Sequence, residues 1–337
     1  MSISSLLELE LKEINLSGKN LLKLDEQKKE KFKNIINKLI EQKVEIVFRG
    51  TNRKLLLVAL SKKGDQTDEN KLMELFFYYG DKAKSFYKEN SKLVENGWAN
   101  KIEDTSPEFI SLIFDRIKSL LSDDTRKRMI EFKEKAVDFV KYFTNESNKE
   151  HFKVNVTSNS YLRDYYLYFL HISGEESDKS FFVSSTLSYS KALKFAEYEN
   201  EKGNKYIIYY VLPKNPDLFS NSHIFVKSDE KIAQICKKLP IYSGATVYLD
   251  QKEISIKGCL FSENILGIKI ITKQGKKSFV PNPYLFSSEN ENEESIIEGL
   301  FIDKSEILEK SKIDTNFINC VRNDYSENNS VYSTISK

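Results

Sequence analysis

The hydrophobic periodicity of this sequence changes twice along the chain, and that change constrains the fold more than any other feature. Short aromatic or β-branched segments, typical of strands, stand at 44–48 and again from residue 161 onward. Between them, from about 66 to 150, apolar residues recur at helical spacing. The strands of one sheet must therefore come from two distant stretches of chain. We predict an α+β fold with a split, mixed β-sheet, an N-terminal helix and a large helical insertion at about 66–150.

Helices are predicted before the first strand and throughout the insertion. Apolar residues recur at helical spacing between Asp25 and Gln42, just before the first strand. The lysines on the other faces of this helix are more typical of a solvated surface than of a phosphate site. Inside the insertion, Pro107 suits the first position of a helix. Asp124 precedes one further helix that we expect to continue to Phe143.

The strand signals after residue 160 are short and separated by turns. The candidate strands are YYLYFLHI, KSFFVSST, KYIIYYVLP, ATVYL, EISIKG and LGIKIIT, of which the first could equally be a helix. One clear helix, which carries Ala192 and Ala196, interrupts them. The chain becomes acidic and polar near its end. We therefore predict one domain at 1–286 and a partly disordered tail at 287–337.

Composition excludes several classes of protein. The 337 residues carry 52 basic and 50 acidic side chains, so no overall field favours nucleic acid or a membrane surface. Three widely spaced cysteines and three histidines give no zinc pattern, and no glycine-rich phosphate loop is present. The N-terminus lacks the features of a secretory signal, and no apolar run approaches the roughly 18 residues that span a bilayer. We expect a metal-free protein without a membrane partner, located in the cytoplasm or delivered into the cytosol of a target cell.

Three short motifs carry residue types suited to one kind of chemistry. Phe48-Arg49-Gly50 ends the first strand, and Ser184-Ser185-Thr186 ends a later strand and leads into a helix. Gln251 and Glu253 stand two apart at the start of another strand, where extended backbone would point both side chains the same way. An arginine can hold a phosphate, and a fixed carboxylate can stabilise a developing cation.

In this order the motifs resemble the cholera-toxin-like class of mono-ADP-ribosyltransferases. That class has an aromatic-Arg strand, a Ser-Thr-Ser strand end and a Glu/Gln-x-Glu that enters a late strand. The helix after the hydroxyl motif, and the strand, break and strand after the glutamate, also fit the family. The resemblance extends from about Val44 to Thr272 without the helical insertion, and it implies the split β-fold of that family. It further implies that NAD is the substrate, and that ADP-ribose passes to a macromolecular acceptor while nicotinamide leaves.

The resemblance implies catalytic roles for residues of the second and third motifs. Glu253 would stabilise the oxocarbenium-like ribose and hold a ribose hydroxyl. Ser184 would orient Glu253 through a hydrogen bond. Gln251 would position the nitrogen of the acceptor.

The remaining motif residues are expected to bind NAD. Arg49 would clamp a phosphate of the dinucleotide through its planar fork of donors. Gly50 would let nicotinamide approach the backbone. Ser185 and Thr186 would support the nicotinamide pocket. Tyr189 could stack on nicotinamide or pack beside the helix start.

The residue two positions before the glutamate bears on the acceptor. In family members that modify arginine this position is typically glutamate, whereas glutamine recurs in members that modify amide side chains or nucleic-acid bases. Gln251 therefore implies an RNA or DNA base as the first choice and a non-arginine protein side chain as the second. The activity fits a toxin of a toxin–antitoxin or phage-defence system, or a secreted effector, and such a toxin implies an antitoxin or chaperone partner.

Two alternatives stay open. Glu263 also stands just before a strand, but we prefer Glu253 because a strand, a glycine and a second strand follow it, and we expect only one strand after Glu263. The second alternative is a non-catalytic interaction protein with a degenerate fold of this type, in which the helical insertion and the acidic tail bind partners.

Overall fold

A computed structural model of the chain describes residues 25–42, 44–59, 72–73, 76–77, 80–81, 107–125, 127–173, 180, 182–197, 203–212, 219–221, 239–240, 252–257, 260, 262–282, 285 and 292–300. Helices and an antiparallel sheet occur in the same chain, so the α+β class is confirmed.

The helices are α1 (Glu26–Glu41), α2 (Arg53–Ala59), α3 (Pro107–Leu121), α4 (Lys127–Lys135), α5 (Val137–Thr144), α6 (Lys149–Thr157), α7 (Ser160–Ile172), α8 (Tyr189–Ala196) and α9 (Glu293–Leu300). The strands are β1 (Ile46–Asn52), β2 (Phe182–Thr186), β3 (Lys205–Val211), β4 (Phe219–Asn221), β5 (Glu253–Lys257), β6 (Ile265–Ile271) and β7 (Lys277–Pro281).

The chain divides into two compact units. The first comprises Met1–Ser91, Ser184–Leu218 and Cys259–Lys337, and the second comprises Lys92–Val183 and Phe219–Gly258. Each unit is thus assembled from segments that are distant in sequence. This division is finer than the single domain that we predicted.

Antiparallel strands form the sheet of the first unit, in the order β2, β1, β3, β6 and β7. The register pairs Phe48 with Thr186 on one side of β1 and with Tyr209 on the other. β6 then pairs with both β3 and β7. All of these pairings are antiparallel, so the mixed pairing that the sequence predicted is not seen among the described strands of this unit.

One face of this sheet is covered by helices. α1 begins at the predicted position because the Asp25 carboxylate accepts a hydrogen bond from the Lys28 N–H at 2.7 Å. The apolar stripe of α1 joins side chains of the sheet, α8 and α9 in one cluster, whose members include Phe32, Ile35, Ile36, Leu39, Phe48, Ala192, Tyr209, Phe279, Ile297 and Leu300. The period-3.6 pattern of the sequence therefore identified the buried face of α1 correctly.

The segment predicted as an acidic tail contains a packed helix. Within α9, Ile296, Ile297 and Leu300 are buried in the cluster just described. The Glu293 carboxylate accepts a hydrogen bond from the Asn34 amide at 2.9 Å and pairs with Lys38. The prediction of a polar tail starting at residue 287 was wrong for 293–300, because the acidic composition of the segment concealed its narrow apolar face.

The second unit consists largely of helices packed around aromatic side chains. Phe114, Phe139, Phe143, Phe152 and Tyr166 lie in one buried cluster, with several ring centroids about 5 Å apart. The short strands β4 and β5 pair antiparallel and also belong to this unit.

The helical part extends further than predicted. YYLYFLHI forms most of α7, which is the helical alternative that the sequence left open, so the helices continue to Ile172 rather than about residue 150. Six consecutive residues, 165–170, are buried. A helix that is buried on all sides has no polar face, and its sequence therefore shows no period of 3.6.

The single helix that we expected to end near Phe143 is two helices. The backbone departs from helical geometry at Ala136, where φ is −111° and ψ is 44°, and this residue separates α4 from α5. Another predicted strand, ATVYL, lies outside the described residues. In the described parts of the chain, no helix is both long enough and apolar enough to cross a bilayer.

Candidate functional site

Arg49 lies on β1, and two hydrogen bonds hold its side chain. Its Nε donates to Asp81 Oδ2 at 2.5 Å, and its Nη1 donates to the backbone oxygen of Ser184 at 2.8 Å. Only 12% of the Arg49 side chain is exposed. The guanidinium is therefore fixed in position, and its planar fork has further N–H groups beyond these two.

Asp81 was not identified from the sequence. Its backbone N–H and C=O both bond to Leu260, so a short bridge fixes its position. The side chain is 2% exposed, and Oδ1 has no hydrogen-bond partner among the described residues. Asp81 therefore provides a buried negative charge that compensates Arg49. Nothing in the local sequence marks it, because it lies 32 positions from the arginine.

Gly50 is required by packing. A Cβ built at this position would lie 1.6 Å from the backbone oxygen of Ala192 and 2.8 Å from the backbone nitrogen of Ala196. The space on this side of Gly50 is thus filled by α8. Because side chains alternate along a strand, Arg49 points to the opposite face of the sheet. The close approach of α8 therefore explains the glycine, and the predicted approach of nicotinamide to Gly50 stays a prediction.

The hydroxyl motif forms the end of β2. Ser184 is half-buried and contacts Arg49 through its backbone oxygen, whereas Ser185 and Thr186 are buried. The Thr186 hydroxyl accepts a hydrogen bond from the Ser188 N–H at 3.0 Å, which stabilises the turn into α8. The side chain of Thr186 thus serves the strand-to-helix connection that positions this part of the first unit.

Tyr189, the first residue of α8, packs against aromatic neighbours. Its ring centroid lies 5.9 Å from that of Phe48 and 6.5 Å from that of Tyr209. The Lys269 ammonium lies over the ring at 5.6 Å from its centroid. Of the two roles considered for Tyr189, packing beside the helix start matches these contacts, and stacking on nicotinamide stays a prediction.

Glu253 begins β5 and is 8% exposed. The preceding residue, Lys252, has a φ of +49°, which is a left-handed backbone conformation that residues other than glycine adopt rarely. Lys252 is therefore not extended, whereas the prediction for Gln251 and Glu253 assumed extended backbone; a shared direction of their side chains stays a prediction. Gln251 itself lies outside the described residues.

The Glu253 carboxylate is held by two side chains of its own unit. Oε1 accepts a hydrogen bond from Ser255 Oγ at 2.9 Å and lies 3.0 Å from His171 Nε2. On the other side of the imidazole, His171 Nδ1 lies 2.6 Å from Ser180 Oγ. No local sequence pattern predicts this arrangement, because His171 and Glu253 are 82 positions apart.

The alternative glutamate, Glu263, belongs to a short 3-10 turn at Ser262–Asn264. Two strands, β6 and β7, follow this turn. The expectation that a single strand follows Glu263 was therefore wrong, and the count of strands does not distinguish it from Glu253. Glu253 is the first residue of a strand and its carboxylate is held by hydrogen bonds, and the preference for Glu253 over Glu263 stays a prediction.

The predicted residues therefore fall into two groups. Arg49, Gly50, Tyr189 and the motif 184–186 belong to the first unit, whereas Glu253 belongs to the second, with His171 and Ser255. The bond expected from Ser184 to Glu253 stays a prediction. Among the residues that the structure describes, no group of three or more histidines, cysteines, aspartates or glutamates could hold a metal ion.

No protein-family model matches the sequence, and no significant similarity to a curated protein or a solved structure was found.

Proposed function

We propose that this chain is an NAD-dependent mono-ADP-ribosyltransferase, a toxin or effector that modifies a macromolecule. The observation that carries the proposal is the hydrogen bond from Arg49 Nη1 to the Ser184 backbone oxygen. These residues come from two motifs that are 135 positions apart, and the family resemblance requires both at one site. A chance match of short motifs would not require this contact.

In the proposed reaction, the bond between the nicotinamide nitrogen and ribose C1′ of NAD breaks. A nitrogen of the acceptor then forms a bond to C1′ and loses a proton, and nicotinamide leaves with the electron pair of the broken bond. Positive charge develops on the ribose in the transition state, so a fixed carboxylate nearby lowers the barrier. Glu253 supplies this carboxylate, and its burial strengthens the interaction because little water screens it.

Binding of NAD relies on the first unit. Arg49 contacts a phosphate oxygen through N–H groups other than those bonded to Asp81 and Ser184. Because Asp81 balances part of the positive charge, Arg49 acts mainly through the fixed geometry of its donors. Ser185 and Thr186 shape the nicotinamide pocket from β2.

Gln251 positions the acceptor nitrogen, and its amide favours an RNA or DNA base, with a non-arginine protein side chain as the second choice. The experiment that identifies the acceptor supplies labelled NAD with mixed RNA, DNA and protein. Digestion of the labelled product with nuclease or protease then gives the class of acceptor. Label that resists nuclease and is released by protease would overturn the preference for nucleic acid.

The activity itself is tested with Glu253→Gln, which keeps the shape of the side chain and removes its charge. We expect the wild type to release nicotinamide, and this variant to lose roughly a hundredfold or more of that rate, as when other electrostatic stabilisers are removed. Glu298→Gln, an exposed position on α9, is the matched control. If Glu263→Gln abolishes the activity while Glu253→Gln does not, the assignment of the glutamate is wrong.

A non-catalytic interaction protein is the second candidate. The Arg49–Asp81 ion pair favours it, because the buried carboxylate accepts a hydrogen bond from Arg49 Nε and balances its charge without any ligand. Absence of nicotinamide release and of label transfer by the wild type would select this function.

A toxin of this class must be restrained in the cell that makes it, so we also propose an antitoxin or chaperone partner. Expression of the chain alone should be harmful to the host, and co-expression with the partner should remove the harm. Harmless expression of an active wild-type protein would contradict this proposal.

A further inference from the structure

The side chains around Glu253 form a continuous hydrogen-bonded chain. The Phe182 N–H donates to Ser180 Oγ at 3.3 Å, Ser180 Oγ meets His171 Nδ1 at 2.6 Å, and His171 Nε2 meets Glu253 Oε1 at 3.0 Å. Ser255 Oγ donates to the same carboxylate oxygen. All of these residues belong to the second unit.

The direction of each hydrogen bond follows from the chemistry of its partners. An ionised carboxylate only accepts, so the proton between His171 and Glu253 must be on Nε2. In a neutral imidazole Nδ1 is then an acceptor, and the Ser180 hydroxyl donates to it. The Ser180 oxygen still accepts from the Phe182 N–H, which is consistent with the observed contact. With an ionised Glu253 and a neutral imidazole, these hydrogen bonds select the tautomer of His171 that carries its proton on Nε2, directed at Glu253.

The imidazole is also fixed by packing. His171 lies in the last turn of α7, and its ring centroid is 5.6 Å from that of Phe182 and 6.4 Å from that of Tyr168. Its side chain is 11% exposed, and that of Glu253 is 9% exposed. A donor in this position has little freedom to move, because close-packed neighbours limit its rotamers.

We propose that His171 is a positioning residue, which sets the orientation of the Glu253 carboxylate. The terminal torsion of a glutamate is broad, so an unassisted carboxylate would sample many orientations. Donors from His171 and Ser255 converge on Oε1 and restrict the orientations that the group can adopt. This inference rests on the proposed function, since it assigns the orientation a role in stabilising the ribose cation.

The test compares two substitutions of His171. His171→Phe keeps a ring between Tyr168 and Phe182 and removes the donor, whereas His171→Gln keeps an amide N–H near the position of Nε2. Because Glu253 acts in the transition state, loss of its orientation should lower kcat for nicotinamide release and leave KM for NAD almost unchanged. We expect kcat to fall roughly 10- to 100-fold in His171→Phe, and His171→Gln to recover most of it.

His151→Phe is the matched control. His151 lies in the same unit, and its Nδ1 meets the Tyr142 hydroxyl at 2.8 Å, so the substitution removes a histidine contact of similar kind away from Glu253. Its kcat should equal that of the wild type. Thermal unfolding of every variant shows whether it is folded. If His171→Phe does not fold, His171→Asn replaces it, because the shorter amide does not reach the Nε2 position.

The outcomes separate the two proposals. If the wild type releases no nicotinamide, the proposed function fails, and the role of His171 fails with it. If the wild type is active and His171→Phe retains its kcat, the positioning role alone is overturned. A parallel loss of kcat in His171→Phe, His171→Gln and His151→Phe would also overturn it, since any disturbance of the unit would then have the same effect.

Discussion

Arg49 illustrates how a single residue is constrained from several directions. Its place on β1 comes from the local sequence, but the orientation of its guanidinium comes from Asp81 and from the Ser184 backbone. A planar fork with donors in a fixed pattern can satisfy both partners and still present N–H groups to a ligand. An ammonium group has no such geometry.

Arg49→Lys should therefore leave the protein folded and weaken NAD binding by about 10- to 100-fold, since a hydrogen bond to a charged group contributes roughly 1.5–3 kcal/mol. Titration calorimetry with NAD measures the change. Arg116→Lys on α3 is the control and should bind NAD like the wild type. Equal affinity of Arg49→Lys and wild type would remove the phosphate clamp from the proposed mechanism.

Asp81→Asn separates charge compensation from geometry, because the amide oxygen can still accept from Arg49 Nε. Loss of one partner of a buried ion pair should lower the free energy of unfolding by about 3 kcal/mol. The uncompensated arginine should then gain more from a bound phosphate, so NAD should raise Tm more in this variant than in the wild type. Asp115→Asn, which removes an exposed partner of Lys149, should cost less than about 1 kcal/mol. A smaller effect of NAD on Asp81→Asn would contradict the clamp.

Gly50→Ala should destabilise the first unit, because the added Cβ would overlap the backbone oxygen of Ala192. Relief of this overlap requires α8 to move away from β1, and overpacking of this kind typically costs about 1–3 kcal/mol. Gly203→Ala is the control, since a Cβ there meets no atom within 4 Å. Chemical denaturation of both variants measures the difference, and equal stability would refute the packing role of Gly50.

At the scale of elements, α9 shows that a short helix can be a structural part of a segment that looks like a tail. Its apolar side chains are buried with those of α1, and Glu293 links the two helices through Asn34 and Lys38. The hydrogen bond from Asn34, followed by the interactions with Lys38, lowers the pKa of Glu293 below its usual value. The charged form of this carboxyl is therefore favoured by folding.

The lowered pKa of Glu293 makes the docking of α9 sensitive to acid. A group whose pKa is depressed in the folded state stabilises the protein above its unfolded pKa, and this contribution is lost as the pH falls through the folded pKa. Glu293→Gln should thus reduce stability near neutral pH, and the difference from the wild type should shrink on acidification below about pH 4.5. Urea denaturation at pH 6 and at pH 3.5 checks this. A difference that is the same at both values would show that the charge of Glu293 does not contribute.

At the scale of the whole molecule, the two hydrophobic clusters have separate memberships. Residues of the first unit form the cluster around α1 and the sheet, and residues of the second form the aromatic cluster of the helices. Most packing energy within each cluster therefore stabilises its own unit. The second unit also supplies the chain of hydrogen bonds that holds Glu253.

Phe143→Ala should create a cavity in the aromatic cluster, where its ring is fully buried and lies 4.7 Å from that of Phe139. Such substitutions typically cost about 3–5 kcal/mol. Hydrogen exchange followed by mass spectrometry should show faster exchange in α3, α5, α6 and α7, with a smaller change in β1 and β3. Val154→Ala, at an exposed position of α6, should leave exchange unchanged. An equal increase in both units would show that they unfold together.

Features that depend on neighbouring residues could be predicted from the amino-acid sequence. The start of α1 follows from the capping side chain of Asp25, and its buried face follows from the spacing of apolar residues. Strands β1, β2, β3, β5 and β6 lie where the short β-branched and aromatic segments predicted them. Local periodicity also located the helical part, although not its end, because α7 is buried on all sides.

Which distant groups come into contact is known from the folded structure alone. Asp81 bonds to Arg49 across 32 positions, and His171 meets Glu253 across 82 positions. The folded structure also shows that Gly50 leaves room for the backbone of Ala192. Propensity and periodicity are properties of a few consecutive residues, whereas these contacts depend on which surfaces pack together. For that reason the residues of the candidate site could be predicted from the sequence, whereas the side chains that orient those residues could not.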